Sequence, residues 1–141
     1  MAQERALVVS AQGLDKLRRE LASVGFLNAA SAASGGEARR AAAQDTWPLV
    51  VINAPLPDET GLELAMELTG TTLSAVVLLV RAELMSMVYG PATEAGVLVV
   101  GKPVIPQVLQ QSVQLAAATH NRLQTLSREN EKLHRKLDEI R

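Results

Sequence analysis

In the stretch Pro48-Leu49-Val50-Val51-Ile52-Asn53-Ala54-Pro55-Leu56-Pro57-Asp58-Glu59-Thr60-Gly61, a run of branched apolar residues passes abruptly into a polar, proline-rich loop. Its apolar residues follow one another instead of alternating, which is the pattern of a strand covered on both faces. Pro55, Pro57 and Asp58 mark the loop, and a helix bearing Leu64 and Leu68 on one face is predicted from Gly61 to about Leu68. One strand followed by one helix is half of a crossover unit.

The same unit repeats outward in both directions. Toward the N-terminus, Ala6-Leu7-Val8-Val9-Ser10 reads as a first buried strand. Leu14, Leu17, Leu21 and Val24 then recur at helical spacing up to Gly25. A weaker second strand is predicted at Phe26-Leu27-Asn28-Ala29-Ala30, and Ser34-Gly35-Gly36 opens an alanine-rich helix through about Gln44. Toward the C-terminus, Ala75 to Val80 and Val97 to Val100 read as strands four and five. The helix predicted between them, Ala82 to Ala95, should be broken or shortened by Gly90-Pro91. Five β-α units with continuous apolar strands predict an α/β fold with a doubly wound five-stranded parallel sheet. Periodicity does not give the order of the strands.

Composition narrows the function classes. The chain has 141 residues, room for one domain and a short appendage, and 48% of them are hydrophobic, enough for a core. With 14 Lys+Arg against 15 Asp+Glu there is no basic excess for a polyphosphate-binding surface. Phe26, Trp47 and Tyr89 are the whole aromatic set, too few for stacking on single-stranded nucleic acid, and Trp47 reads as a packing anchor. The absence of cysteine removes disulfides, thiolate metal sites and cysteine nucleophiles. His120 and His134 fall on the last helix and read as solvated. The N-terminus lacks a signal peptide's long apolar region, and no apolar run approaches the ~20 residues of a membrane span, so a soluble, cytoplasmic protein is expected.

In an open α/β sheet, ligands bind beyond the carboxyl ends of the strands. Those ends carry Ser10 and Ala11, Asn53, Arg81 after Val80, and Lys102. The stretch from Asn53 through Pro57 to Gly61, with the closing Lys102-Pro103 after an apolar strand, resembles the receiver domain of response regulators over roughly residues 5 to 119. The resemblance implies a flavodoxin-like fold. It also implies a phosphoacceptor Asp where Asn53 stands, an acidic pair for Mg²⁺ where Ser10 and Ala11 stand, and a Thr or Ser switch where Arg81, or alternatively Val80, stands. Of the family's site residues only the lysine, Lys102, matches. An amide is no phosphoryl acceptor comparable to a carboxylate, and a hydroxyl with one neutral carbonyl is a poor Mg²⁺ site. A degenerate site is expected, without cofactor, metal or catalytic activity, in which Lys102 bonds Asn53 or nearby carbonyls. The competing expectation is an anion drawn between Arg81 and Lys102. Ser34-Gly35-Gly36 is expected to act as a turn and helix cap, and Asp58 and Glu59 as solvated loop charges.

From Pro106 the chain reads as one helix to Arg141, about 36 positions and about 54 Å, against a domain about 30 Å across. Residues 1–119 are therefore assigned to the receiver-like domain and 120–141 to a projecting coiled-coil helix. Leu123, Leu126, Asn130, Leu133, Leu137 and Ile140 step by three and four and form the seam of a parallel homodimer, with Asn130 at a buried-type position. Ser127-Arg128-Glu129-Asn130-Glu131-Lys132-Leu133 and the Lys136-Leu137-Asp138-Glu139-Ile140-Arg141 end resemble the antitermination regulators of the ANTAR type. In that family a coiled coil joins the receiver to a three-helix RNA-binding module, which lies outside this sequence. The helix reaches Arg141 without a stop signal, which suggests a truncated chain or a lone remnant. The expected function is phosphorylation-independent signalling as part of an antitermination regulator. The alternatives are a dimeric adaptor for a protein partner and a small-anion sensor using Arg81 and Lys102.

Overall fold

Along the chain of the computed structural model, which describes residues 5–118 together with Leu126, Glu129 and Lys132, strands and helices alternate. They are β1 (Arg5–Val9), α1 (Leu14–Ala22), β2 (Asn28–Ala32), α2 (Gly35–Gln44), β3 (Leu49–Asn53), α3 (Leu62–Thr71), β4 (Ala75–Arg81), α4 (Met85–Ala95) and β5 (Leu98–Lys102). A single 3₁₀ turn, Ala82–Leu84, leads into α4. Residues 106–118 form a further helix. The strands order β2-β1-β3-β4-β5, and every neighbouring pair is parallel. This is the flavodoxin-like arrangement, with the order reversing between β1 and β3.

The period of two along each central strand divides its apolar side chains between two cores. Leu7, Val9, Val50, Ile52, Val76 and Leu78 face α2, α3 and α4, where Ala38, Leu64, Leu68 and Ala92 are buried against them. Ala6, Val8, Leu49, Val51, Val77 and Leu79 face the other way, onto Leu17 and Leu21 of α1 and Leu109, Val113 and Ala116 of helix 106–118. Burial on both faces is why these strands lack alternation. Trp47 is buried beside β3, its indole N–H donating to the Ala41 carbonyl at 3.1 Å, with the Arg5 guanidinium 4.5 Å from its ring centre. It is the packing anchor expected.

Two elements differ from the sequence reading. β2 begins at Asn28, two residues beyond the expected start. Phe26 is buried ahead of the strand, with its N–H bonded to the Leu21 carbonyl at 3.0 Å, so its apolar character belongs to the end of α1 and not to β2. α4 runs through Pro91 to Ala95. Proline removes the bond to the carbonyl four residues back, which belongs to Met87, a residue 72% exposed on the outer face of the helix.

No helix among the described residues is long and apolar enough to cross a membrane. Leu126 is helical and exposed. The expected boundary at 119/120, His120, His134 and the seam residues Leu123, Asn130, Leu133, Leu137 and Ile140 lie outside the described residues.

Candidate functional site

The carboxyl ends of β1, β3, β4 and β5 bring Ser10, Asn53, Arg81 and Lys102 to one edge of the sheet. Arg81 and Lys102 are register partners on adjacent strands. A lysine on the outermost strand is long enough to reach across β4 to β3. Its Nζ donates to Asn53 Oδ1 at 2.8 Å and to the Ala54 carbonyl at 2.5 Å. An ammonium only donates, so it turns the amide oxygen of Asn53 toward itself and leaves the amide nitrogen facing β1. Asn53 Nδ2 then donates to Ser10 Oγ at 3.1 Å and to the Gln12 carbonyl at 3.4 Å. Ser10 Oγ in turn donates to the Gln12 carbonyl. The result is a directed chain of hydrogen bonds from Lys102 through Asn53 to Ser10 and the loop after β1.

Burial pushes the Lys102 pKa below the usual lysine range, and the Arg81 charge adds to the shift. No carboxylate takes part in the chain. Ser10 is buried, whereas Ala11 is exposed and contributes only a methyl to the rim of a cleft of about 430 Å³ shared with Gln12, Asn53, Arg81 and Lys102. Among the described residues no three of His, Cys, Asp and Glu gather in a way that would hold a metal ion. No buried side-chain nitrogen or oxygen among them lacks a partner. The structure brings the strand-end residues Ser10, Asn53 and Lys102 into one hydrogen-bonded chain, with Lys102 bonded to Asn53 and to the Ala54 carbonyl. Arg81 lies beside them and is exposed.

Asp58 and Glu59 require a correction, because they are not free loop charges. Asp58 accepts from the Gly35 N–H at 2.9 Å and the Gly36 N–H at 3.1 Å. These bonds, Gly35 first, hold its carboxyl below the usual carboxylate range. Ser34 Oγ accepts from the Glu37 N–H at 3.2 Å, and Glu37 Oε2 from the Ala33 N–H at 2.7 Å. The amide-rich start of α2 is thus capped by the protein's own side chains. Glu59 accepts from both terminal nitrogens of Arg39, at 2.6 and 3.3 Å. Sequence reasoning missed these contacts because the partners lie about two dozen residues upstream; only the glycine pair after Ser34 hinted at a carboxylate acceptor.

No family model matches the sequence, and no curated protein does. Solved structures do match. The signal receiver domain of an HD domain-containing protein from Pseudomonas fluorescens superposes with a TM-score of 0.78 at 19% identity, over 89% of this chain and 94% of that one. A CheY-like receiver domain from Methylobacillus flagellatus gives 0.70 at 23% identity, over 82% and 99% of the two chains. A protein described as an adenylate cyclase from Rhodopirellula baltica gives 0.83 at 18% identity, over 93% and 99%. At these identities the likeness is one of fold. The chain has the CheY-like fold of response-regulator receiver domains.

Proposed function

We propose that this chain is a receiver-fold signalling module that works without aspartyl phosphorylation and is not an enzyme, serving as the receiver and dimerisation part of an antitermination regulator. The observation that carries the reading is the side chain of Asn53. Both ends of its amide are engaged, by Lys102 at 2.8 Å and by Ser10 at 3.1 Å, where the strand ends converge. A neutral amide so held offers no nucleophilic oxygen, and neither Ser10 nor Ala11 supplies a carboxylate for Mg²⁺. Signal output then depends on what the module binds and on its own assembly, not on a phosphoryl group. Homodimerisation is assigned to residues 120–141, and RNA contact to a module outside this sequence.

Incubation with acetyl phosphate and Mg²⁺, followed by intact mass spectrometry, tests the reading. The expected result is no adduct, and no change in assembly with beryllofluoride. Asn53→Asp alone should stay unreactive, since the metal ligands would still be missing. A phosphoryl adduct on a residue of this cleft in the unaltered protein would overturn the proposal.

A further inference from the structure

A second cleft, of about 420 Å³, opens beside the Asn53–Lys102 chain between β4, α3 and α4. Leu62, Leu78, Val80, Leu84, Met87 and Val88 line it. Apart from Thr60 and Arg81, the side chains that line it carry no polar group. Leu84 and Met87 stand 40% and 72% exposed at its mouth, so the cleft is an uncovered apolar surface and not a closed core void. Ala54, Pro55 and Arg81 border both clefts. Arg81 is exposed, has no ion pair among the described residues, and is the register partner of Lys102. No Asp or Glu lines either cleft. An apolar recess with cationic charge on one rim and no opposing acid matches a ligand with an apolar body and an anionic head.

We propose that this cleft binds a small carboxylic acid with an apolar tail, the tail lying between Leu62, Val80 and Val88 and the carboxylate on the guanidinium of Arg81. Arg81 offers planar paired donors to a carboxylate, while burying the tail removes apolar surface from water on both sides. The inference goes beyond the phosphorylation-independent reading and does not rest on it, because the cleft lies outside the Asn53 chain. It supplies a chemical class for the input that such a module would sense.

Octanoate, octanol and inorganic phosphate are the probes, titrated separately into the full chain by calorimetry and by amide chemical-shift mapping. Octanoate is expected to bind and to shift the amides of Leu62 and Val88, with octanol at least about tenfold weaker, the size of one charged hydrogen bond. Phosphate alone should shift neither amide. Arg81→Glu should weaken octanoate at least about tenfold and leave octanol unchanged. Val88→Phe, which fills the cleft, should weaken both. Thermal unfolding of each variant checks that it is folded, and Arg81 is exposed, so its replacement leaves the core intact. Equal binding of octanoate and octanol, insensitivity to Arg81→Glu, phosphate binding as tight as octanoate, or no octanoate binding at about 1 mM would each overturn the proposal.

Discussion

Arg39 on α2 holds Glu59 in the loop before α3 through two hydrogen bonds, at 2.6 and 3.3 Å, and reaches Glu67 on α3 with its Nε at 3.0 Å. One guanidinium thus ties α2 both to the loop that leaves the site and to the helix that follows it. The contacts, Glu59 first, raise the pKa of Arg39 above its already high value. The Arg39 and Glu59 side chains are 35% and 17% exposed, so solvent screens the pair in part. A double-mutant cycle with Arg39→Ala and Glu59→Ala should give a coupling of about 1 kcal/mol at low salt and less at about 1 M salt. Urea denaturation measures it, and a coupling near zero at low salt would contradict the structural role.

Acid should loosen both ends of α2. Asp58, held by the Gly35 and Gly36 amides, and Asp45, held by Arg5 and the Thr46 amide, both have pKa values below the unfolded value of about 3.9. In that window the unfolded chain binds more protons, so their contribution is present above about pH 4 and is lost as pH falls through the folded-state values. Asp58→Asn should lower stability at neutral pH and make the acid loss shallower, with Asp45→Asn acting additively. Denaturation midpoints from about pH 6 down to about pH 3 would show it.

The central strands were readable because burial on both faces leaves a mark that is local: Leu7 to Val9, Leu49 to Ile52 and Ala75 to Val80 are apolar at every position. β2 left no such mark. It is an edge strand of Asn28, three alanines and Ser31, with one neighbour and little apolar surface, so Phe26 drew the reading two residues early. Pro91 misled for a related reason: the expected break is a rule about unsatisfied carbonyls, and an exposed helix face relaxes it. Within the site, the ends of apolar runs were enough to bring Asn53 and Lys102 to one edge. The partners of Asp58 and Glu59 depend on how α2 packs beside the loop, which no local pattern encodes.

Gly61 should not tolerate a side chain. Its φ of +96° falls where a Cβ is strained, and a Cβ there would meet Ala54 Cβ at 3.2 Å and Ile52 Cγ2 at 3.3 Å. Gly61→Ala should cost about 2 kcal/mol, from strain of about 1–2 kcal/mol and crowding against β3. Gly70, inside α3, is the control: a Cβ added there would meet nothing within 4 Å. Gly70→Ala should stabilise by about 0.5–1 kcal/mol through helix propensity. Chemical denaturation of the two variants should move in opposite directions.

Lys102 should leave an alkaline signature. Its folded-state pKa lies below the unfolded value of about 10.4, chiefly through burial and then through Arg81. Between the two values the unfolded chain binds the extra proton, so this group's contribution to stability rises with pH as the folded lysine loses its charge. Lys102→Met should remove that rise, and Arg81→Met should reduce it. Direct titration of the Lys102 Cε signal by NMR should place its midpoint below those of exposed lysines, and a midpoint at the ordinary lysine value would refute the burial argument.

Assembly is the last expectation, and it rests on the sequence of residues 120–141. In the sequence Leu123, Leu126, Leu133, Leu137 and Ile140, with Asn130 among them, are spaced by three and four, the pattern expected of a coiled-coil seam. Burying each such side chain contributes about 1.5–3 kcal/mol before association and ordering costs, and an isolated helix of this length is marginal in water. A parallel homodimer is therefore expected. Asn130→Leu should tighten association while relaxing the choice among dimer, trimer and antiparallel forms, because the amide pairing expected of Asn130 would be lost. Removing residues 120–141 should leave a folded monomer, since among the described residues both cores are assembled from positions no later than Ala117. Light scattering at tens of micromolar on the intact and shortened chains decides it: a monomeric intact chain, or a shortened chain that still dimerises fully, would place the dimer contact elsewhere.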